Sequence, residues 1–180
     1  MRVIAGEFRS RRLCRPPPGV RPTSDRVREA LFDSLGAVDG AKALDLYAGT
    51  GSLGIEALSR GAIAAVFVDT SRRSVGVLQQ NLSSLDLSER TRVMVLDARA
   101  ALRRLEEEGE RFDLVFLDPP YGSVETGAVT TALAETPVLA PGGQVVVESA
   151  TRETVAWDSG LDLRFERCYG ETRITRFEKS

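Results

Sequence analysis

Residues 118 to 122 read Asp-Pro-Pro-Tyr-Gly and follow the apolar run Phe112-Asp-Leu-Val-Phe-Leu117. The residues after that run suit one kind of chemistry. Proline after Asp118 biases the aspartate towards an extended backbone, and Pro119 and Pro120 lack amide donors, so the stiff loop presents only acceptors. An exocyclic amine on a nucleobase is a poor nucleophile until its two hydrogens are held. The Asp118 carboxylate and the Pro119 carbonyl would accept them, while the ring of Tyr121 would stack on an unstacked base, typically worth about 1–3 kcal/mol. Positioning, together with stabilisation by Asp118 of positive charge developing on nitrogen, would carry the rate without a histidine. The competing reading is a Pro-Pro turn with a packed tyrosine.

A second group of residues lies upstream in Asp45-Leu-Tyr-Ala-Gly-Thr-Gly-Ser-Leu-Gly54, which contains GxGxxG at 49, 51 and 54 and leads into a helical pattern. Glycines there permit a tight turn and a close approach of backbone to ligand, and Asp69, twenty positions after Gly49, is placed to hold ribose hydroxyls. Taken alone this is a dinucleotide fingerprint. Asp45 argues against it, because a carboxylate close to the helix N-terminus opposes a pyrophosphate and suits a cationic ligand group such as an ammonium or sulfonium. S-adenosylmethionine is therefore favoured over NAD. Asp97, beside Ala98, ends the third apolar run and could accept an adenine amino group; Tyr47, Ala48, Thr50 and Thr70 complete the candidate cofactor contacts. The plainer readings are a tight turn for the glycines and a helix N-cap for Asp97 before residues 98 to 105.

These acids need strands that end together. Ala43–Tyr47, Ile63–Val68, Thr91–Leu96, Phe112–Leu117 and Gln144–Glu148 read as buried strands separated by segments of helical periodicity, the alternation of a parallel α/β sheet. In such a sheet the carboxyl ends of the strands line one crevice. Leu161–Cys168 and Thr172–Glu178, joined at Tyr169-Gly-Glu171, form a hairpin that brings in an antiparallel strand. At the other end, residues 1 to 15 read as a small hairpin, followed by the loop 16 to 22. A helix then runs to Leu35, capped by Thr23 or Ser24, with Val27, Leu31, Phe32 and Leu35 facing the core and Gly36 ending it.

Composition narrows the chemistry further. The 180 residues are 42% hydrophobic and 28% charged, ordinary for one globular domain and well short of disorder. Histidine is absent, which excludes Ser-His-Asp and Cys-His schemes and histidine-ligated metals. Cys14 and Cys168 are the only cysteines, so neither a CxxC pair nor a four-cysteine zinc site exists, no metal site is expected, and both thiols read as reduced and structural. No apolar run is long enough for a membrane span and the N-terminus lacks a signal-like apolar stretch, from which a cytoplasmic protein is expected. Net charge is −2, yet residues 1 to 28 carry eight arginines against Glu7 and Asp25. That imbalance suggests a local anionic partner.

In Asp45–Gly51 and Asp118–Tyr121 the chain resembles class I S-adenosylmethionine-dependent methyltransferases acting on amino nitrogens. Arg2-Val-Ile-Ala-Gly6, Arg21-Pro-Thr-Ser-Asp-Arg-Val-Arg-Glu-Ala-Leu-Phe32 and Tyr169-Gly-Glu-Thr-Arg-Ile174 narrow the resemblance to the RsmD family of bacterial 16S ribosomal RNA guanine-N2 methyltransferases. The resemblance implies a Rossmann-like α/β fold with a seven-stranded, mostly parallel sheet containing one reversed strand, and S-adenosylmethionine in its crevice. It also implies a guanine of 16S rRNA in small subunits or their assembly intermediates as acceptor. Asp45, Ala48, Gly49, Gly51, Asp69 and Asp97 would bind cofactor and residues 118 to 121 would hold the amine. Asp69 stands where relatives often have glutamate, and Ser10 where glycine is common.

Residues 1–22 would form a basic extension on a methyltransferase domain, 23–180, acting as a monomer with no membrane partner. Rival readings are a methyltransferase for DNA adenine or protein glutamine, a nicotinamide-dependent oxidoreductase, and an RNA-binding assembly factor without catalysis. RNA affinity is expected to come from phosphate contacts by Arg9, Arg11, Arg12, Arg15 and Arg21. Replacing Arg9, Arg11 and Arg12 together with alanine is expected to weaken RNA binding and leave cofactor affinity intact; unchanged salt-dependent binding in a filter assay would refute this.

Overall fold

The computed structural model describes residues 1–16, 23–119, 125–153, 157 and 160–180, the side chains of residues 125 and 126 excepted. Its elements run α1 (Asp25–Leu35), β1 (Lys42–Asp45), α2 (Ser52–Ser59), β2 (Ala64–Val68), α3 (Arg72–Ser84), β3 (Thr91–Met94), α4 (Ala98–Glu107), β4 (Phe112–Leu117), α5 (Glu125–Glu135), β5 (Leu139–Ala150), β6 (Leu161–Tyr169) and β7 (Thr172–Lys179). The strands form one seven-stranded sheet in the order β3-β2-β1-β4-β5-β7-β6. Pairing is parallel from β3 through β5, and β7 runs antiparallel to both of its neighbours.

Alternation along the strands sends side chains to two cores. Ala43, Phe67, Leu114, Phe116 and Val146 pack with α1, α2 and α3 on one face; Leu44, Val66, Val115, Leu117 and Val147 pack with α4 and α5 on the other. The sheet is thus covered on both sides, as continuous apolar strands require. Val27, Leu31, Phe32 and Leu35 are buried as their spacing predicts, and the Phe32 ring meets that of Phe116 at 5.7 Å, fixing α1 to the strand that carries Asp118. Ser24 is the cap of α1, accepting from the Val27 N–H at 3.3 Å, which leaves Thr23 free for another use.

Strand bounds and the setting of the cysteines differ from the sequence reading: β1 ends at Asp45 and not Tyr47, and β3 at Met94 and not Leu96. β5 begins at Leu139, five residues earlier than expected, because Leu139 pairs with Phe112 before the chain leaves the ladder and resumes pairing at Gln144. Pro141-Gly-Gly143 marks that excursion and disguises the start of the strand. Cys14 and Cys168 are free, as expected, but both are exposed and so are not core residues.

The N-terminal segment is docked on the sheet's helical layer. An Arg2–Arg12 bridge and the Val3 N–H to Arg11 carbonyl bond, 3.0 Å, close the hairpin, and Val3 and Leu13 enter the α1–α3 core. Ser10 takes a left-handed φ of 67°, the conformation for which glycine is better suited. The fully buried carboxylate of Glu56 on α2 accepts from the N–H groups of Ile4, at 2.8 Å, and Ala5, at 3.0 Å. Gly6 crosses so close to α2 that a Cβ would lie 1.7 Å from the Ser59 carbonyl oxygen. Among the described residues no helix is long and apolar enough to cross a membrane.

Candidate active site

Asp45 ends β1, Asp69 follows β2 and Asp118 follows β4, so parallel pairing delivers their carboxylates to the same edge of the sheet. Strand order reverses between β1 and β4, the switch point at which open α/β sheets form their ligand crevice. Asp45 is 2% exposed. One of its oxygens, Oδ2, accepts from the Gly54 N–H at 3.1 Å and ties β1 to the start of α2; the other, Oδ1, is buried and makes no full hydrogen bond among the described residues. Burial pushes this carboxyl up to about 7; the Gly54 N–H opposes the shift, the negative charges of Asp118 and Asp69 add to it, and the Tyr47 backbone N–H opposes it least. The charge read from the sequence as permanent is therefore conditional on pH or on a nearby cation.

The glycine loop is held from several sides. Ala48 donates its N–H to the Val68 carbonyl at 2.9 Å, and Gly51, in a left-handed conformation, caps α2 and donates to the Ala48 carbonyl at 2.7 Å. Gly49 also has a positive φ, 53°, and a Cβ there would meet nothing within 4 Å, so its surface is open to an approaching ligand. Gly54 has a packing role instead, since a Cβ would come within 2.3 Å of the Phe67 ring. Thr50 is buried, and its carbonyl accepts from Asn81 Nδ2 at 2.9 Å. Asn81 Oδ1 in turn accepts from the Cys14 N–H at 2.7 Å, linking the N-terminal segment to the loop.

Asp69 accepts from two backbone donors, the Gly49 N–H on Oδ2 and the Ser71 N–H on Oδ1, both at 2.7 Å. Its short side chain thus lies against the loop, with Thr70 exposed beside it. Asp97 caps α4 by accepting from the Ala100 N–H at 2.8 Å and is exposed at the crevice rim next to the buried Ala98. The plainer reading of that residue is therefore realised.

Asp118 is partly exposed and Pro119 buried; Pro120 and Tyr121 lie outside the described residues, as does Arg21. Asp118 is pushed up to about 6 by burial among protein atoms, with the Thr23 hydroxyl, 3.2 Å from Oδ2, holding it back. The same hydroxyl lies 2.9 Å from Oε2 of Glu148 on β5, which is buried. Sequence reading offered Thr23 as a cap and as part of the stretch that carries the family resemblance, and Glu148 only as the end of a strand. Asn81 escaped it altogether. Arg9, Arg11, Arg12 and Arg15 are exposed on the N-terminal segment; Arg11 Nη2 donates to the Ser84 carbonyl at 2.9 Å, setting that side chain on the end of α3.

A doubly covered sheet with this strand order, a glycine loop after β1 and acids at the ends of β1, β2 and β4 has the Rossmann-like fold of class I methyltransferases. The family model for conserved hypothetical protein 95 matches residues 1–178, and the chain belongs to that family, the RsmD family of the sequence resemblance. It is 37% identical over 183 residues to YlbH of Bacillus subtilis, covering 99% of each chain. The ribosomal RNA small subunit methyltransferase D of Haemophilus influenzae is 34% identical over 172 residues, covering 94% of this chain and 89% of that one. Among solved structures, YhhF of Escherichia coli superposes with a TM-score of 0.88 at 32% identity, covering 100% of this chain and 98% of its own.

Raised carboxyl groups carry a sign for stability. The folded state holds protons on Asp45 and Asp118 at pH values where the unfolded chain has released them, so their contribution is fully present below about pH 4 and is lost as pH rises through about 6 and 7. Thermal unfolding of the ligand-free protein should therefore show these two groups lowering the melting temperature between pH 5 and pH 8. The double variant Asp45→Asn, Asp118→Asn is expected to flatten that part of the profile; an unchanged slope would show that other groups produce it.

Proposed function

We propose that the protein methylates the exocyclic N2 amine of a guanine in 16S ribosomal RNA, using S-adenosylmethionine, in small subunits or their assembly intermediates. One observation carries the reading: Asp45 and Asp118 stand at the ends of adjacent strands β1 and β4, the first with a buried oxygen that makes no full hydrogen bond among the described residues, the second heading a proline loop. Membership of the family supports it, as does the name of the Haemophilus relative, which specifies small-subunit ribosomal RNA.

The residues fit the cofactor. Asp45 Oδ1 suits an ammonium group, the backbone from Ala48 to Gly51 suits a ligand packed against the loop, and Asp97 with the Ala98 backbone suits adenine. Asp69 retains lone pairs for ribose hydroxyls beside its two backbone bonds. When bound, S-adenosylmethionine supplies a methyl group activated by a positively charged sulfur.

The chain's own residues prepare the acceptor. Asp118 accepts one N–H of the guanine amine and the Pro119 carbonyl the other, which turns the nitrogen lone pair out of conjugation with the ring. A carboxyl near 6 is ionised at neutral pH, offsets positive charge as it grows on nitrogen and takes the proton that the nitrogen must lose once it carries the methyl group. By their place in the sequence, Pro120 would limit the backbone of the loop and Tyr121 would supply a ring for the base. Arg9, Arg11, Arg12, Arg15 and Arg21 neutralise phosphates, with residues 1–22 serving as the RNA-docking extension of a 23–180 methyltransferase domain. All these groups belong to one chain, so a monomer suffices, and a ribosomal RNA substrate fits work in the cytoplasm.

The test is methyl transfer from labelled S-adenosylmethionine to small subunits lacking the modification, followed by mass spectrometry of the digested nucleosides. The expected product is N2-methylguanosine with the parent protein and at least about a hundredfold less with Asp118→Ala. Cofactor binding without methylated guanosine would overturn the substrate assignment.

A further inference from the structure

Thr23 stands between two acids. Its hydroxyl oxygen lies 3.2 Å from Asp118 Oδ2 and 2.9 Å from Glu148 Oε2, and both Thr23 and Glu148 are more than nine-tenths buried. A threonine hydroxyl has one hydrogen to give and two lone pairs to accept with. It cannot donate to both carboxylates at once. Either one acid carries a proton and donates into Thr23 while Thr23 donates to the other, or the hydroxyl alternates between them. Repulsion between two carboxylates this close favours the shared proton. The arrangement follows from the fold, since Leu117 pairs with Val147 and the next residues on the parallel strands are these two acids.

Charged groups on the neighbouring elements have bonds or contacts of their own among the described residues, although Nε and Nη1 of Arg28 and Nε of Arg173 and Arg176 are buried without a partner there. Asp45 interacts electrostatically with both Asp118 and Asp69 from the end of β1. On α1, Arg28 Nη2 bonds to Asp25 and to the Arg2 carbonyl. On β7, Arg176 donates to Gln144, and Arg173 donates to the carbonyls of Thr151 and Glu153. On β6, Arg167 lies over the Tyr169 ring.

We propose that Thr23 and Glu148 are positioning residues for Asp118: Thr23 orients its carboxylate and relays a proton shared with Glu148, so that Glu148 sets the pH range in which Asp118 can receive the target amine. The inference rests on the role assigned to Asp118 above. It also gives the Arg21-Pro-Thr23 segment a function distinct from capping α1.

Single-turnover methyl transfer to small subunits, measured against pH, separates this from a merely structural role. Thr23→Val removes the hydrogen bond that holds the Asp118 carboxyl down, so the acid limb should move up by about one pH unit, with the rate reduced about tenfold or more. Glu148→Gln removes a negative neighbour and should move the limb in the opposite direction. Thr23→Ser should restore the parent profile, and the KM for S-adenosylmethionine should stay within about twofold in all three. The same opposed shifts are readable without turnover by carbon-13 NMR titration of the Asp118 carboxyl in these variants. Parent-like limbs and carboxyl titrations in both Thr23→Val and Glu148→Gln would overturn the proposal while leaving Asp118 in place. Full activity in Asp118→Asn would remove the role of Asp118 and this inference together.

Discussion

Repulsion among carboxylates gathered at the switch point governs this molecule's site. Parallel pairing of β1, β4 and β5 carries Asp45, Asp118 and Glu148 to one edge, where protein atoms replace water around them. Oδ2 of Asp118 and Oε2 of Glu148 each lie within 3.2 Å of the Thr23 hydroxyl, so these two oxygens are no more than about 6 Å apart. At an effective dielectric of 20, two full charges at that separation repel by about 3 kcal/mol. A hydrogen bond to a charged group returns about 1.5–3 kcal/mol, so the hydroxyl alone roughly balances the repulsion. Protonation states here are finely set, and a cation entering the crevice shifts them. That is a physical reason for a methyltransferase of this kind to manage without histidine.

The same economy joins the N-terminal segment to the chemistry. Glu56 and Ser59 hold residues 4 to 8 against α2, while Asn81 bonds at once to Cys14 and to the Thr50 carbonyl in the glycine loop. The exposed arginines of that segment are therefore mounted on the elements that shape the crevice. An RNA held by its phosphates there would be registered against the loop at the end of β4 through a rigid α2–α3 layer, a positional effect of the kind that sets rates when the reacting atoms must be aligned.

Much of this was legible in the sequence, for reasons that differ by residue. The central strands announce themselves as short apolar runs ending in Asp45, Asp69 and Asp118, and the glycine loop by its spacing. Asp97 was open to two readings because a residue before a helix can cap it, and it does. Thr23, Asn81 and Glu148 were hidden because their partners lie 31 to 125 residues away, and no local pattern encodes such proximity. Glu148 did leave a trace, a charged side chain in Val145-Val-Val-Glu148, but its meaning depends on the β4–β5 register. The early start of β5 was masked by Pro141-Gly-Gly143, which locally reads as a break.

Central to the account is the claim that Asp45 holds a cationic group of the cofactor through its ionised carboxylate. Isothermal titration calorimetry of S-adenosylmethionine with the parent and with Asp45→Asn, at pH 7.5 and pH 6, addresses it directly. Binding by the parent should be several-fold weaker at the lower pH, where this carboxyl near 7 takes up a proton, and binding by the variant weak and nearly independent of pH. Equal affinity of parent and variant at pH 7.5 would contradict it.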